Sequence, residues 1–101
     1  MKIVVNRCYG GFELSKAVYD ELGIEWDGCG YIRNEDLGIE SDNHNAYRAD
    51  SKLIQAIEKI GEKESSVRFS KIEIVEIPDD VDWEIDKYYG YETIYEKHRS
   101  W

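Results

Sequence analysis

Apolar positions open the chain as an unbroken run, Ile3-Val4-Val5 behind Lys2. A short β-branched run without alternation suits a strand covered on both faces, so Lys2 to Val5 is expected inside a sheet. Asn6-Arg7-Cys8-Tyr9-Gly10-Gly11-Phe12 follows, and its paired glycines mark a tight loop with at least one positive φ. The period then changes. Ser15 can cap a helix with Ala17, Val18 and Leu22 on one face, Leu14 and Tyr19 as a hydrophobic staple and Gly23 as the stop.

From Gly23 to Asp50 the pattern dissolves. Gly28-Cys29-Gly30 signals a turn, Tyr31-Ile32-Arg33 suits a short edge strand, and Asn34 to Asn45 is acidic and rich in asparagine. Periodicity returns with Asp50 or Ser51 as a cap, Leu53, Ile54, Ile57 and Ile60 on one stripe, and Gly61 at the end. Glu62 to Ser66 reads as a polar link and Phe69 to Ile77 as a strand whose alternation breaks at Val75, the mark of a bulge or of two covered faces. Pro78-Asp79-Asp80 turns the chain. Trp83 and Ile85 then alternate with Glu84 and Asp86, and residues 82–97 suit a hairpin turning near Gly90.

The resulting order is β-α-(β)-α-β-β-β. It predicts an α+β fold with a small mixed or antiparallel sheet of three to five strands and two helices on one face. The expected core is Ile3, Val5, Val18, Leu22, Leu53, Ile57, Ile60, Ile72, Ile74 and Ile85. A length of 101 residues gives one domain over 1–101. It leaves no room for a deep cavity, so a ligand site is expected to be shallow or shared between subunits.

Charge narrows the partners. Thirteen Lys and Arg against 22 Asp and Glu give a formal charge of −9, a field that repels polyanions and attracts basic protein surfaces. Direct binding to nucleic acid is disfavoured, because that affinity comes from cations displacing counterions. The first apolar run is too short for a signal-peptide core or a membrane span, so a cytoplasmic protein without membrane contact is expected. In a reducing compartment Cys8 and Cys29, the only cysteines, are expected as free thiols.

Two segments carry candidate chemistry. The loop Asn6, Arg7, Tyr9, Gly10, Gly11, Phe12 leaves a strand and enters a helix, where glycine amides and Arg7 can meet an anion and Tyr9 or Phe12 can stack on it. It lacks the Lys-Ser/Thr of a P-loop and the spacing of a dinucleotide fingerprint, and a tight turn with both aromatics in the core fits the same residues. Near the end, Tyr88, Tyr89, Tyr91 and Tyr95 with His98, Arg99 and Trp101 combine aromatic area with hydrogen-bond donors, as in nucleotide pockets and protein interfaces. Tyrosines covering the faces of a hairpin are the simpler account.

The acidic run Asp79, Asp80, Asp82, Glu84, Asp86 reads first as a solvated face and second as a phosphate-backbone mimic able to fill a basic groove. No metal or cofactor is implied, because Cys8, Cys29, His44 and His98 form no ligand pair of standard spacing. A Cys8–His98 nucleophile has no motif behind it, and no catalytic residue is assigned.

The opening Ile3-Val4-Val5-Asn6-Arg7-Cys8-Tyr9-Gly10-Gly11-Phe12 and the closing Ile74-Val75-Glu76-Ile77-Pro78-Asp79-Asp80-Val81-Asp82-Trp83-Glu84-Ile85 through Glu96-Lys97-His98-Arg99-Ser100-Trp101 resemble a group of small uncharacterised phage and prophage proteins. The helix after Asp50 is similar too, whereas the segment between the helices looks shorter and Tyr88-Tyr89-Gly90 stands where the group has Tyr-Asp-Gly. The resemblance implies a genomic setting and no mechanism. A small phage-type protein without a catalytic motif is expected to act by stoichiometric binding in the host cytoplasm. One expectation is that it sequesters a nucleotide-type signal of antiviral defence through the Arg7 loop, Arg99 and the tyrosines. The other is an acidic inhibitor docking on a host nucleic-acid-binding enzyme. Three tryptophans and eight tyrosines exceed what so small a domain readily buries, which points to a homo-oligomer.

Overall fold

In a computed structural model that describes residues 1–96, the chain is α+β. Strand β1 spans Lys2–Asn6, helix α1 Lys16–Leu22, helix α2 Ser51–Ile60, a single helical turn α3 Glu62–Ser65, and strands β2, β3 and β4 span Ile72–Glu76, Trp83–Tyr88 and Tyr91–Glu96. Short 3₁₀ turns at Asn34–Leu37 and Ala46–Ala49 punctuate the connection between α1 and α2.

The strands form two antiparallel pairs, β1 with β2 and β3 with β4. This corrects the expectation of one continuous sheet. The register sets Val4 opposite Ile74 and Asn6 opposite Ile72, so Val4, Ile72 and Ile74 share a face. That face meets Val18 and Tyr19 of α1 and Leu53, Ala56 and Ile57 of α2 in the main core. Ile3 and Val5 point the opposite way yet are fully buried, as the unbroken apolar run requires.

Helix α2 is amphipathic by sequence, and its start is fixed by the Asp50 carboxylate, which accepts from the Leu53 amide at 3.0 Å. Ser15 precedes α1 without capping it, because its hydroxyl donates to the Glu64 carbonyl instead. Leu14 and Tyr19 are both buried in the core, and Gly23 ends α1 in the left-handed conformation.

Several expectations need correction. Ala17 is exposed, since only Val18 and Tyr19 of α1 are buried. Tyr31-Ile32-Arg33 forms no strand; Ile32 enters the core and a 3₁₀ turn follows. The supposed link after Gly61 is α3, and the strand begins at Ile72, leaving Phe69 largely exposed. Leu22, Ile60 and Ile74 are half-buried at the core's margin, and half-buried Ile85 lies outside it on the inner side of the hairpin.

α3 also closes an edge. Its Glu62 carboxylate accepts from the Ile74 amide at 2.6 Å, and Ser66 Oγ just beyond accepts from the Ile72 amide at 2.9 Å. Outward amides of β2 are thereby occupied, which protects the strand from pairing with another chain. No helix among the described residues is long and apolar enough to cross a membrane.

Candidate functional site

The loop after β1 and the turn of the β3–β4 hairpin meet through Asn6. Asn6, fully buried, holds them together. Its Nδ2 donates to the carbonyls of Cys8 and Gly90, both at 2.8 Å, and its Oδ1 accepts from the Lys71 amide at 2.8 Å. Tyr89 and Gly90 at the turn both have positive φ, 50° and 91°, the geometry of a tight two-residue hairpin. A Cβ on Gly90 would lie 2.7 Å from the Gly10 backbone, and one on Gly10 would lie 2.1 Å from the Phe69 carbonyl oxygen. Both glycines serve close backbone approach.

Arg7 reaches across this junction. Its Nη1 donates to the Glu92 carbonyl at 2.7 Å, its Nε lies 3.7 Å from Glu73, and its guanidinium stands 5.5 Å from the centre of the Tyr91 ring. Tyr9 packs on Tyr91 with ring centres 5.7 Å apart and remains 68% exposed. Phe12, expected as a stacking face, is a core residue beneath the Arg48 guanidinium, 3.7 Å from its ring centre. Gly11 is half-buried and Tyr89 is exposed. His98, Arg99 and Trp101 lie outside the described residues.

The deepest polar feature is one that the sequence reading missed. Arg48 and Glu92 are both fully buried and form a two-point ion pair, Nη1 to Oε1 at 2.5 Å and Nη2 to Oε2 at 2.9 Å. Burial is the largest single influence and works against the Arg48 cation, but the hydrogen bonding and charge of Glu92 together with the neighbouring Tyr47 outweigh it, and the guanidinium stays charged. A signal for Glu92 existed. Cross-strand pairs set Trp83, Ile85 and Ile94 on one face of the hairpin together with Lys87, Glu92 and Glu96, so Glu92 lies on the face that carries the hairpin's apolar residues. Arg48 had no such signal, because it follows a segment without periodicity.

No family model, curated protein or solved structure matches the chain. The site is therefore read from its own geometry.

The opposite face of the hairpin carries Glu84 opposite Tyr95, Asp86 opposite Thr93 and Tyr88 opposite Tyr91. The Tyr95 hydroxyl donates to Glu84, while Tyr88 and Tyr89 stack edge-on with centres 4.7 Å apart. Tyr88 is 66% exposed and Tyr89 78%. Acidic and aromatic groups thus share one outward surface. Asp79, Asp80 and Asp82 are exposed on the approach to β3, and Asp79 pairs with the Met1 ammonium at 2.5 Å, which holds its carboxyl below the usual range.

A groove of about 700 Å³ runs beside β3, where Asp82, Trp83 and Glu84 face Asp42 and His44. Cys8 and Cys29 are free thiols. Among the described residues, no three His, Cys, Asp or Glu side chains gather as a metal site would need.

Proposed function

We propose that the protein acts by stoichiometric binding, docking the outward hairpin face on a basic protein surface such as the nucleic-acid groove of a host enzyme. The observation that carries this is the alternation that puts Glu84 and Asp86 on the same face as Tyr88 and Tyr95. Tyrosines give large contact area at low conformational cost, and carboxylates steer a basic partner and set its register. The exposed portions of Tyr9, Tyr88, Tyr89 and Tyr95 offer roughly 500 Å². That is over half of the roughly 800 Å² that one side of a standard interface buries. The resemblance to phage proteins supports placing this docking in the cytoplasm of an infected cell.

A nucleotide-type ligand is the second reading, favoured by the meeting of Arg7, Tyr9 and Tyr91 at one junction. It is the weaker of the two because the Arg7 guanidinium already has the Glu92 carbonyl and Glu73 as partners. Affinity capture from bacterial lysate, repeated with excess duplex DNA, separates the readings. Docking in a nucleic-acid groove predicts captured protein that duplex DNA displaces and that a Glu84→Gln/Asp86→Asn variant fails to retain. Heat on titrating linear and cyclic nucleotides, abolished by Arg7→Ala, would instead establish the second.

A further inference from the structure

Away from the hairpin, a recess of about 550 Å³ is lined by Tyr19, Trp26, Asp27, Tyr31, Arg33 and Asp36. Tyr19 is 2% exposed, and among the described residues its buried hydroxyl oxygen has no partner at hydrogen-bond distance, Asp27 being the nearest polar influence on it. Buried hydroxyls are nearly always satisfied, so an orphan one beside an open recess marks a place for a ligand atom. The Trp26 ring meets Tyr19 edge-on with centres 4.9 Å apart, and Tyr31 is 56% exposed.

Charge chooses the ligand. Asp27 accepts from the amides of Cys29, Gly30 and Tyr31 at 2.8, 2.6 and 3.1 Å, and these bonds, chiefly that from Gly30, hold its carboxyl below the usual range. It is an anion fixed by the backbone. The Tyr19 hydroxyl is pushed well above the ordinary phenol range, by burial first, then by the nearby Asp27 and Asp36 carboxylates and by the polar approach of Asp27 to the hydroxyl itself, so it stays protonated with its proton turned toward Asp27 and a lone pair left to accept. Asp36 adds a second anion, and among the described residues the only cation on the wall is Arg33, mostly exposed, whose Nε lies 4.0 Å from Asp36.

We propose that this recess binds an organic cation, a guanidinium or ammonium group that lies against Trp26, is drawn by Asp27 and Asp36, and donates to the Tyr19 oxygen. Ring faces attract such cations most strongly when water is displaced, and an unpaired phenol oxygen accepts the remaining N–H. Arg33 is an internal competitor, able to swing toward the same carboxylates. The site does not rest on the hairpin reading, since it shares no residue with that face.

The test is titration of the intact protein with N-acetyl-arginine amide, followed by the Trp26 indole resonance in NMR spectra, with inorganic phosphate as the control. A saturable shift with a Kd on the order of millimolar is expected. Trp26→Ala should weaken binding by about five- to thirtyfold. Tyr19→Phe should weaken it by about fivefold while leaving the melting temperature unchanged or raised, because among the described residues the lost hydroxyl has no partner at hydrogen-bond distance. Arg33→Ala should tighten binding.

An arginine-centred basic peptide that binds more tightly than the blocked amino acid would assign the recess to a partner's side chain; equal affinities would assign it to a free cation. No saturable shift, an effect equalled by phosphate, or unchanged affinity in Tyr19→Phe would overturn the proposal. Affinity lowered by Arg33→Ala would overturn it too.

Discussion

Arg48 and Glu92 take the place of a strand beside β1. Val4 and Asn6 direct their backbone groups away from β2, and the ion pair meets both: Arg48 Nη1 donates to the Val4 carbonyl at 3.3 Å, and Glu92 Oε1 accepts from the Asn6 amide at 2.8 Å. The hairpin is thereby joined to β1 through side chains where a backbone ladder would have made one sheet.

Removing Glu92 leaves the buried Arg48 cation unpaired, and removing Arg48 leaves buried Glu92 with the more distant Lys87 ammonium, at 3.8 Å, as its counter-charge; breaking a buried pair in this way costs about 3–5 kcal/mol. Glu92→Ala and Arg48→Ala are each expected to lower stability by that amount in urea unfolding. An Arg48→Met/Glu92→Met double variant should cost much less than the two single changes summed, since neither charge is stranded. Additive losses would show that the two side chains act independently.

The hairpin turn gives a second expectation. Gly90→Ala places a Cβ against the Gly10 backbone at 2.7 Å and forces alanine to φ 91°. The left-handed conformation alone costs about 1–2 kcal/mol. Limited proteolysis should cut the variant within residues 83–96 while the α1–α2 core persists. A wild-type digestion pattern would mean that the loop yields without releasing the hairpin.

Much of this frame was legible because each element wrote its own period. The 3.6-residue stripe of α2 and the two-residue alternation of β3 follow from which face meets the core, and Gly90 marked the hairpin turn because only glycine takes its positive φ without strain. The β1–β4 junction was not legible. Its partners are isolated charges 44 residues apart, and pairing at that separation has no period. The recess around Tyr19 was hidden for a different reason: the staple position accounts for the ring of Tyr19 and says nothing about its hydroxyl.

Acid should loosen the turn that shapes the recess. The folded-state pKa of Asp27 lies below the usual aspartate value, so its contribution is complete above about pH 4, the unfolded value, and is lost as pH falls through the folded one. Thermal melts of wild type and Asp27→Asn should differ by a constant amount at neutral pH and converge below about pH 4. A gap that stays constant into strong acid would show that the amides hold the neutral side chain equally well.

Salt separates docking on a partner from self-association, the other use for so many exposed tyrosines. A charge of −9 makes two copies repel, and the Debye length shrinks from about 10 Å at 0.1 M salt to about 3 Å at 1 M. Screening therefore favours a homo-oligomer held by tyrosine contacts, and light scattering should show its average mass rising with salt. A basic partner is attracted by the same field, so its association rate and affinity should fall over that range. Tyr88→Ser/Tyr89→Ser should weaken both processes, because both need the aromatic area, whereas Glu84→Gln/Asp86→Asn should weaken docking and strengthen self-association. If the acidic variant lost self-association instead, the carboxylates would be interface contacts between copies, and the case for a basic partner on this face would fall.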